Sequence, residues 1–215
     1  MSFIRNNAAN AVTCGNLVCG ALACVAAIKG EYTMAYWLIV LAAVFDFLDG
    51  FVARALHAVS GIGKELDSLC DCVSFGLAPA LIVYNMMDPS PWKYASLLIA
   101  VCGALRLARF NCDDSQTTTF VGLPIPANAR FWIGATSVYE ASYKYVLTVL
   151  IFVISYSMVS NQRLFSLKIK SLSLKKAWHI YLLAIVAVVS TALLGWLGLA
   201  VTILFYLVMA WFVKA

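Results

Sequence analysis

Four aspartates stand in two pairs within 26 residues: Asp46 and Asp49, three apart, then Asp67 and Asp71, four apart. On a helix both spacings put the pair on one face. A short connection between two such helices lets the acidic faces converge. Carboxylates gathered in one pocket repel, and each one placed in a membrane costs about 2.5–3.5 kcal/mol before compensation. Bound divalent cations relieve both costs. All-oxygen ligation selects hard ions, Mg²⁺, Mn²⁺ or Ca²⁺, over zinc, and Mg²⁺ keeps positions open for substrate phosphates. Gly50 and Ala53 belong to the face of the first pair and Gly63 to that of the second. Such small residues let two helices and a ligand approach closely. Arg54 adds a planar cationic fork suited to a phosphate. A solvated helix cap explains one acidic pair, and a cation pathway in a transporter explains four acids. Neither explains the Gly, Ala and Arg placed among them.

The elements that must hold these residues are membrane helices. Of 215 residues, 63% are hydrophobic and 12% charged. Soluble domains average about 45–50% apolar and about 25% charged. A spanning helix needs roughly 20 mostly apolar residues. Eight candidates appear, at 10–29, 33–55, 64–87, 92–111, 125–142, 144–161, 177–195 and 197–213. The apolar runs are continuous rather than alternating, which excludes a barrel. The predicted fold is all-α, a polytopic transmembrane helix bundle with both termini on one side. Asn128 and Arg130 interrupt the start of the fifth span, and Gly195 and Gly198 separate the last two. Arg5 before an apolar run, with Ala21-Leu22-Ala23-Cys24, mimics a signal peptide. The many spans that follow make this the first membrane helix instead. Seven cysteines, Cys14, Cys19, Cys24, Cys70, Cys72, Cys102 and Cys112, lack paired spacing and read as small apolar packing residues. His57, in an interfacial loop, and His179, near a helix start, offer no metal-ligand spacing.

Orientation follows from the cations. Twelve fall on one side: Arg5, Arg54, Lys64, Arg106, Arg109, Arg130, Arg163, Lys168, Lys170, Lys175, Lys176 and Lys214. Three, Lys29, Lys93 and Lys144, fall on the other. The first side, which carries the aspartates, is predicted to face the cytoplasm across the inner cell membrane. The basic stretch 161–177 reads as a solvated cytoplasmic loop, with contact to anionic lipid headgroups as the alternative. No nucleic-acid partner is expected.

The stretch from Asp46 to Asp71 resembles the CDP-alcohol phosphatidyltransferase family, whose motif is D-x2-D-G-x2-A-R-x8-G-x3-D-x3-D. All eight fixed positions match: Asp46, Asp49, Gly50, Ala53, Arg54, Gly63, Asp67 and Asp71. The resemblance implies a six-helix core, here residues 1–161, usually in a homodimer. It makes 162–176 a basic cytoplasmic loop and 177–215 an addition of two helices. It also implies transfer of a phosphatidyl group from a CDP-activated lipid to an alcohol, with release of CMP. Asn10, Thr13, Asn16 and Gly20 match a helix-one pattern of the family, with Ala9 where members often carry Pro. Interhelical hydrogen bonding is the alternative role for Thr13 and Asn16.

Two further strings, Leu105-Arg106-Leu107-Ala108-Arg109-Phe110-Asn111 and Phe120-Val121-Gly122-Leu123-Pro124-Ile125-Pro126-Ala127, are similar to the membrane-embedded phosphatidylserine synthase branch of the family. That branch implies CDP-diacylglycerol as donor and L-serine as acceptor. Arg106, Arg109 and Arg130 can each pair with the carboxylate of serine or the donor phosphates, or can simply reflect cytoplasmic positive charge. The implied site has Asp46, Asp49 and Asp67 as the main metal cage, with Asp71 completing a two-ion Mg²⁺ or Mn²⁺ site and acting as general base. Arg54 stabilises charge, and Gly50, Ala53, Gly63, Asn10, Thr13 and Asn16 complete the substrate-binding set. Ser74 and Gly76 either line the nucleotide pocket or pack helices. Glycerol phosphate or inositol phosphate as acceptor, an archaeal-type donor lipid, and a cation transporter are the competing readings.

Overall fold

The computed structural model describes residues 2–55, 61–112, 120–164 and 174–212. His57, Lys214 and most of the basic stretch 161–177 therefore lie outside the described residues. Helix α1 (Ser2–Lys29) turns at Gly30 into α2 (Tyr32–Ala55). Gly30 has φ +80°. Its N–H donates to the Ala27 carbonyl at 3.1 Å, and that of Glu31 to Ala26 at 2.9 Å. This doubly bonded cap closes a helix and reverses the chain in two residues. On α2, Ala35, Ile39, Ala42 and Asp49 are buried, whereas Trp37, Leu41, Val44, Leu48 and Phe51 are exposed. Both stripes follow helical spacing. The second is the lipid-facing side of a helix about 36 Å long.

The third span departs from the single regular helix expected over 64–87. It is α3 (Gly61–Asp71), a π-helical segment (Cys72–Leu77) and α4 (Ala78–Met86) in one continuous run. The cause is Pro79. In an α-helix the nitrogen of residue 79 would donate to the carbonyl of Phe75, but proline has no N–H and its ring crowds that carbonyl. The wider π turn makes room, and the freed Phe75 oxygen accepts a bond from the Asn128 side chain at 3.0 Å. Asn128 in turn accepts from Trp132 Nε1 at 2.8 Å. All three residues are buried.

A 3₁₀ turn (Pro91–Ser96) leads into α5 (Leu97–Cys112). Short strands β1 (Phe120–Val121) and β2 (Arg163–Leu164) pair antiparallel, a feature absent from the all-helical expectation. Beside them Gly122 (φ +76°) donates to the Gln162 carbonyl at 3.0 Å, and Leu123 to that of Ser157 at 3.0 Å. A side chain at Gly122 would collide with the Met158 carbonyl. These bonds tie the α5–α6 connection to the end of α7.

Helix α6 (Ile125–Ser137) stops five residues before the expected 142. Thr136 and Ser137 turn their hydroxyls back to the carbonyls of Trp132 and Gly134. Such local bonds compete with helix propagation. At about 20 Å, α6 is shorter than a bilayer core of about 30 Å. It is central nonetheless. Ile125, Ala129 and Ile133 belong to one core with α1, α2, the π segment and α4. Phe131 and Trp132 belong to a second with α4, α5, α7 (Lys144–Val159) and α9 (Leu197–Phe212). Helix α8 (Leu174–Leu194) starts three residues before the expected 177, packs on α9, and joins it through Ser190, whose hydroxyl donates to the Gly198 carbonyl at 3.0 Å. Where α6 ends, Tyr32, Tyr36, Asn85, Thr136, Ser137, Tyr139 and Trp196 line a polar cavity of about 450 Å³.

Four helical runs, 10–29, Tyr32–Ala55, Ile62–Met86 and Pro91–Cys112, are long and apolar enough to cross a membrane, and three shorter apolar helices accompany them. The chain is a membrane protein built as a helical bundle. All seven cysteines are free.

Replacing Asn128 by Leu removes the side-chain donor to the Phe75 carbonyl and leaves the Trp132 N–H buried without its partner, the latter at roughly 1–3 kcal/mol. Thermal unfolding in detergent is expected to show a clear loss of stability for Asn128→Leu. Adding Pro79→Ala, which restores a donor to the Phe75 carbonyl, is expected to recover part of it. Additive losses in the double variant would sever the proposed link between the two positions.

Candidate active site and metal centre

The packing face of α2 runs through Ala35, Ile39 and Ala42 and ends in Asp46 and Asp49. The last turns of a membrane helix thus carry carboxylates inward toward α1 and α3. From α3, Asp67 meets them. One carboxylate oxygen from each of Asp46, Asp49 and Asp67 lies within 4.8 Å of the others. Asp49 is only 7% exposed. Thr13 and the Gly50 backbone amide favour its carboxylate electrostatically, yet its Oδ2 is buried with no donor. Asp67 Oδ1 is buried and equally unserved. Buried acceptors left without donors cost free energy that a cation removes. Oxygen ligands on opposite sides of one ion are separated by about 4.2 Å for Mg²⁺ and up to about 4.8–5 Å for Ca²⁺. The three carboxylates therefore fit a shared hard cation.

Asp71 stands apart from that trio but within electrostatic reach of all three. It is 7% exposed and accepts a hydrogen bond at Oδ1 from Asn16 Nδ2 at 3.1 Å. Asn16 is completely buried. Its backbone carbonyl accepts from the Ser74 hydroxyl at 3.1 Å, which pins α1 to the π segment. Gly20, one turn further along α1, allows this approach: a Cβ there would lie 2.8 Å from the Ser74 Cα. Asn16 was expected among the substrate contacts. In the structure it holds Asp71, while Thr13 holds Asp49. Asn10 is half-buried and makes no hydrogen bond among the described residues. Ser74 and Gly76 are buried in helix packing, Gly76 against Ile125 and Ala100.

The arginines separate into distinct positions. Arg54 is exposed and folds back over Gly50, where a Cβ would sit 3.4 Å from its Nη1. Arg130 is exposed, within electrostatic reach of Asp46. It also borders a largely apolar cavity of about 370 Å³ lined by Val40, Ala43, Phe47, Phe75 and Ile133 among others. Arg109 is exposed, and its Nη2 donates to Asn161 Oδ1 at 2.7 Å. It closes α5 onto the end of α7 rather than onto the acids. Arg106, one helical turn earlier, is buried and lies within electrostatic reach of Asp71. Ala53 and Gly63 are half-buried on the helices that carry the acids.

Sequence reasoning passed over one positioning group. Asn111 donates to the Ser68 hydroxyl at 2.9 Å and to Glu65 Oε2 at 3.4 Å, while Lys64 donates to the Asn111 carbonyl at 3.3 Å. These bonds dock the outer side of α3 on the end of α5 and so hold Asp67 in place. The polar residue ending an otherwise apolar helix was the available signal.

A family model described as CDP-alcohol phosphatidyltransferase matches residues 6–211, nearly the whole bundle. This chain belongs to the CDP-alcohol phosphatidyltransferase family. A CDP-diacylglycerol–serine O-phosphatidyltransferase of Bacillus subtilis is 40% identical over 118 residues, covering 54% of this chain and 67% of the relative. One of the same name from Methanocaldococcus jannaschii is 47% identical over 97 residues, covering 45% of this chain and 47% of the relative. An archaetidylserine synthase of Methanothermobacter thermautotrophicus is 41% identical over 120 residues, covering 53% and 51%. The matched part thus spans about half the length of the last two relatives. Family membership favours a transferase over the cation-transport alternative, and the acidic cluster is the part of this CDP-alcohol phosphatidyltransferase that fits a divalent ion.

Mn²⁺ binding followed by electron paramagnetic resonance tests the cage. Asp67→Asn is expected to weaken binding at least about tenfold, and an unchanged isotherm would remove Asp67 from it. Asn16→Ala, which frees Asp71 without touching the trio, is expected to lower turnover by roughly 10–100-fold, the usual cost of losing a group that orients a ligand.

Proposed function

We propose that this chain transfers the phosphatidyl group of CDP-diacylglycerol to the hydroxyl of L-serine, giving phosphatidylserine and CMP. The observation that carries the reading is the meeting of the Asp46, Asp49 and Asp67 carboxylates beside an Asp71 held by Asn16. The names of the similar proteins support serine as acceptor, since the diacylglycerol and archaetidyl enzymes have it in common. They differ in the lipid. The apolar lining of the cavity beside Arg130 suits an acyl or an isoprenoid chain alike, so an archaeal-type donor is the second reading.

In this reading the donor pyrophosphate lies over the acidic cluster, and a lipid chain leaves through the apolar cavity between α2 and α6. Two divalent ions, Mg²⁺ or Mn²⁺, held by Asp46, Asp49, Asp67 and Asp71 would offset the charge of the pyrophosphate and of departing CMP. Arg54, over Gly50, adds a fixed positive fork on the phosphates. Asp71 takes the proton of the serine hydroxyl. The serine oxygen forms a bond to the lipid-linked phosphorus, and the P–O bond to CMP breaks with its electron pair leaving on CMP. Small residues Gly50, Ala53 and Gly63 leave room for the nucleotide, and Asn10 stands at the same end of α1. The site faces the cytoplasm of the inner membrane. Residues 1–161 act as the catalytic unit of a homodimer, with 177–215 as an accessory pair of helices.

Purified protein with CDP-diacylglycerol and Mn²⁺ is expected to release CMP only when L-serine is added. Release with glycerol phosphate or inositol phosphate but not with serine would overturn the choice of acceptor. Asp71→Asn is expected to lower turnover by about 10²–10⁴-fold, the range for loss of a general base, while the donor still binds. Substantial residual turnover would remove Asp71 from that role.

A further inference from the structure

We propose that Arg106 binds the carboxylate of the acceptor and is the residue that makes the site select serine over amino alcohols that lack a carboxylate. The proposal rests on serine transfer as set out above. Arg106 is 8% exposed, and among the described residues it makes neither a hydrogen bond nor an ion pair. The ring of Phe110 lies 5.2 Å from the guanidinium carbon and stacks on it without satisfying a donor. A guanidinium carries five N–H donors in a fixed fork. Burying that charge unpaired is costly.

Neither bland role for an arginine fits this one. Cytoplasmic positive charge is served by exposed side chains, as at Arg54 and Arg130. A structural clamp would show its acceptors, as Arg109 does with Asn161 Oδ1 at 2.7 Å. Among the described residues Arg106 is instead a buried donor set without an acceptor.

Position says which anion. Arg54 and Arg130 stand with Gly50, Asp46 and the apolar cavity, on the donor side. Arg106 stands toward Asp71. The acceptor must bring its hydroxyl to Asp71, and in serine two carbons separate that hydroxyl from the carboxylate. The groups that bind the two must therefore lie on the same side of the site, and Arg106 is within electrostatic reach of Asp71. A planar fork matches a carboxylate in two parallel bonds, which an ammonium cannot do. The positive guanidinium would offset the repulsion between that carboxylate and the acidic cluster.

The test measures CMP release from CDP-diacylglycerol and Mn²⁺ with wild type, Arg106→Lys and Arg106→Gln. The acceptors are L-serine and L-serine methyl ester, which lacks the carboxylate charge. Wild type is expected to prefer serine strongly. Arg106→Gln is expected to raise KM for serine by roughly 10–100-fold, the effect of losing a hydrogen-bonded charge. KM for the donor should stay within about twofold, and the preference over the ester should collapse. Arg106→Lys should fall between the two. A serine KM unchanged in both variants, or a donor KM that rises with it, overturns the assignment. Wild type that uses ester and acid equally well overturns it even if neither variant folds. Wild type that releases no CMP with serine sinks the serine reading itself, and this assignment with it.

Discussion

Like charges crowded at the end of apolar helices are the constraint on which this structure turns. Four carboxylates lie within electrostatic reach of one another in a chain that is otherwise 63% hydrophobic. Uncompensated, such a cluster would drive α2 and α3 apart. Much of the surrounding structure acts against that. Thr13 and the Gly50 N–H serve Asp49, Asn16 serves Asp71, and Asn111 with Lys64 docks the outer side of α3. The bonds still missing, at Asp49 Oδ2 and Asp67 Oδ1, are those a cation would supply. Helix packing and ion binding are two parts of one electrostatic balance.

α1 carries more of this balance than its apolar composition suggests. Its inner face alternates ligand-holding residues with points of close approach: Thr13, Asn16, then Gly20 against Ser74. Because the Asn16 carbonyl is bonded to Ser74 while its side chain reaches Asp71, the position of the acid depends on how α1 and the π segment fit together. A change at Gly20, one turn from Asn16, therefore acts on the site through backbone separation.

The helical class and the convergence of the acidic pairs were legible in the sequence because each depends on local spacing, whereas of the eight expected spans only four are long and apolar enough to cross a membrane among the described residues. Apolar runs of membrane length mark helices whatever surrounds them, and three- or four-residue intervals put Asp46 with Asp49 and Asp67 with Asp71. What depends on distant neighbours was not legible. Pro79 signals a disturbed helix, but the residue that makes it tolerable, Asn128, is 49 positions away and reads in isolation as an interruption of its own span. Arg106 and Arg109 look equivalent three residues apart, and only Asn161 and the end of α7 distinguish the clamped one from the buried one. The early end of α6 lay in Thr136 and Ser137, whose hydroxyls turn inward only once the helix exists.

That short helix also changes the electrical thickness of the molecule. The polar cavity beyond Ser137 opens at the end of α6 remote from the acids, where the bundle replaces hydrocarbon with hydroxyl and amide groups over about 450 Å³. Water and ions can reach further into the protein there than into the lipid around it.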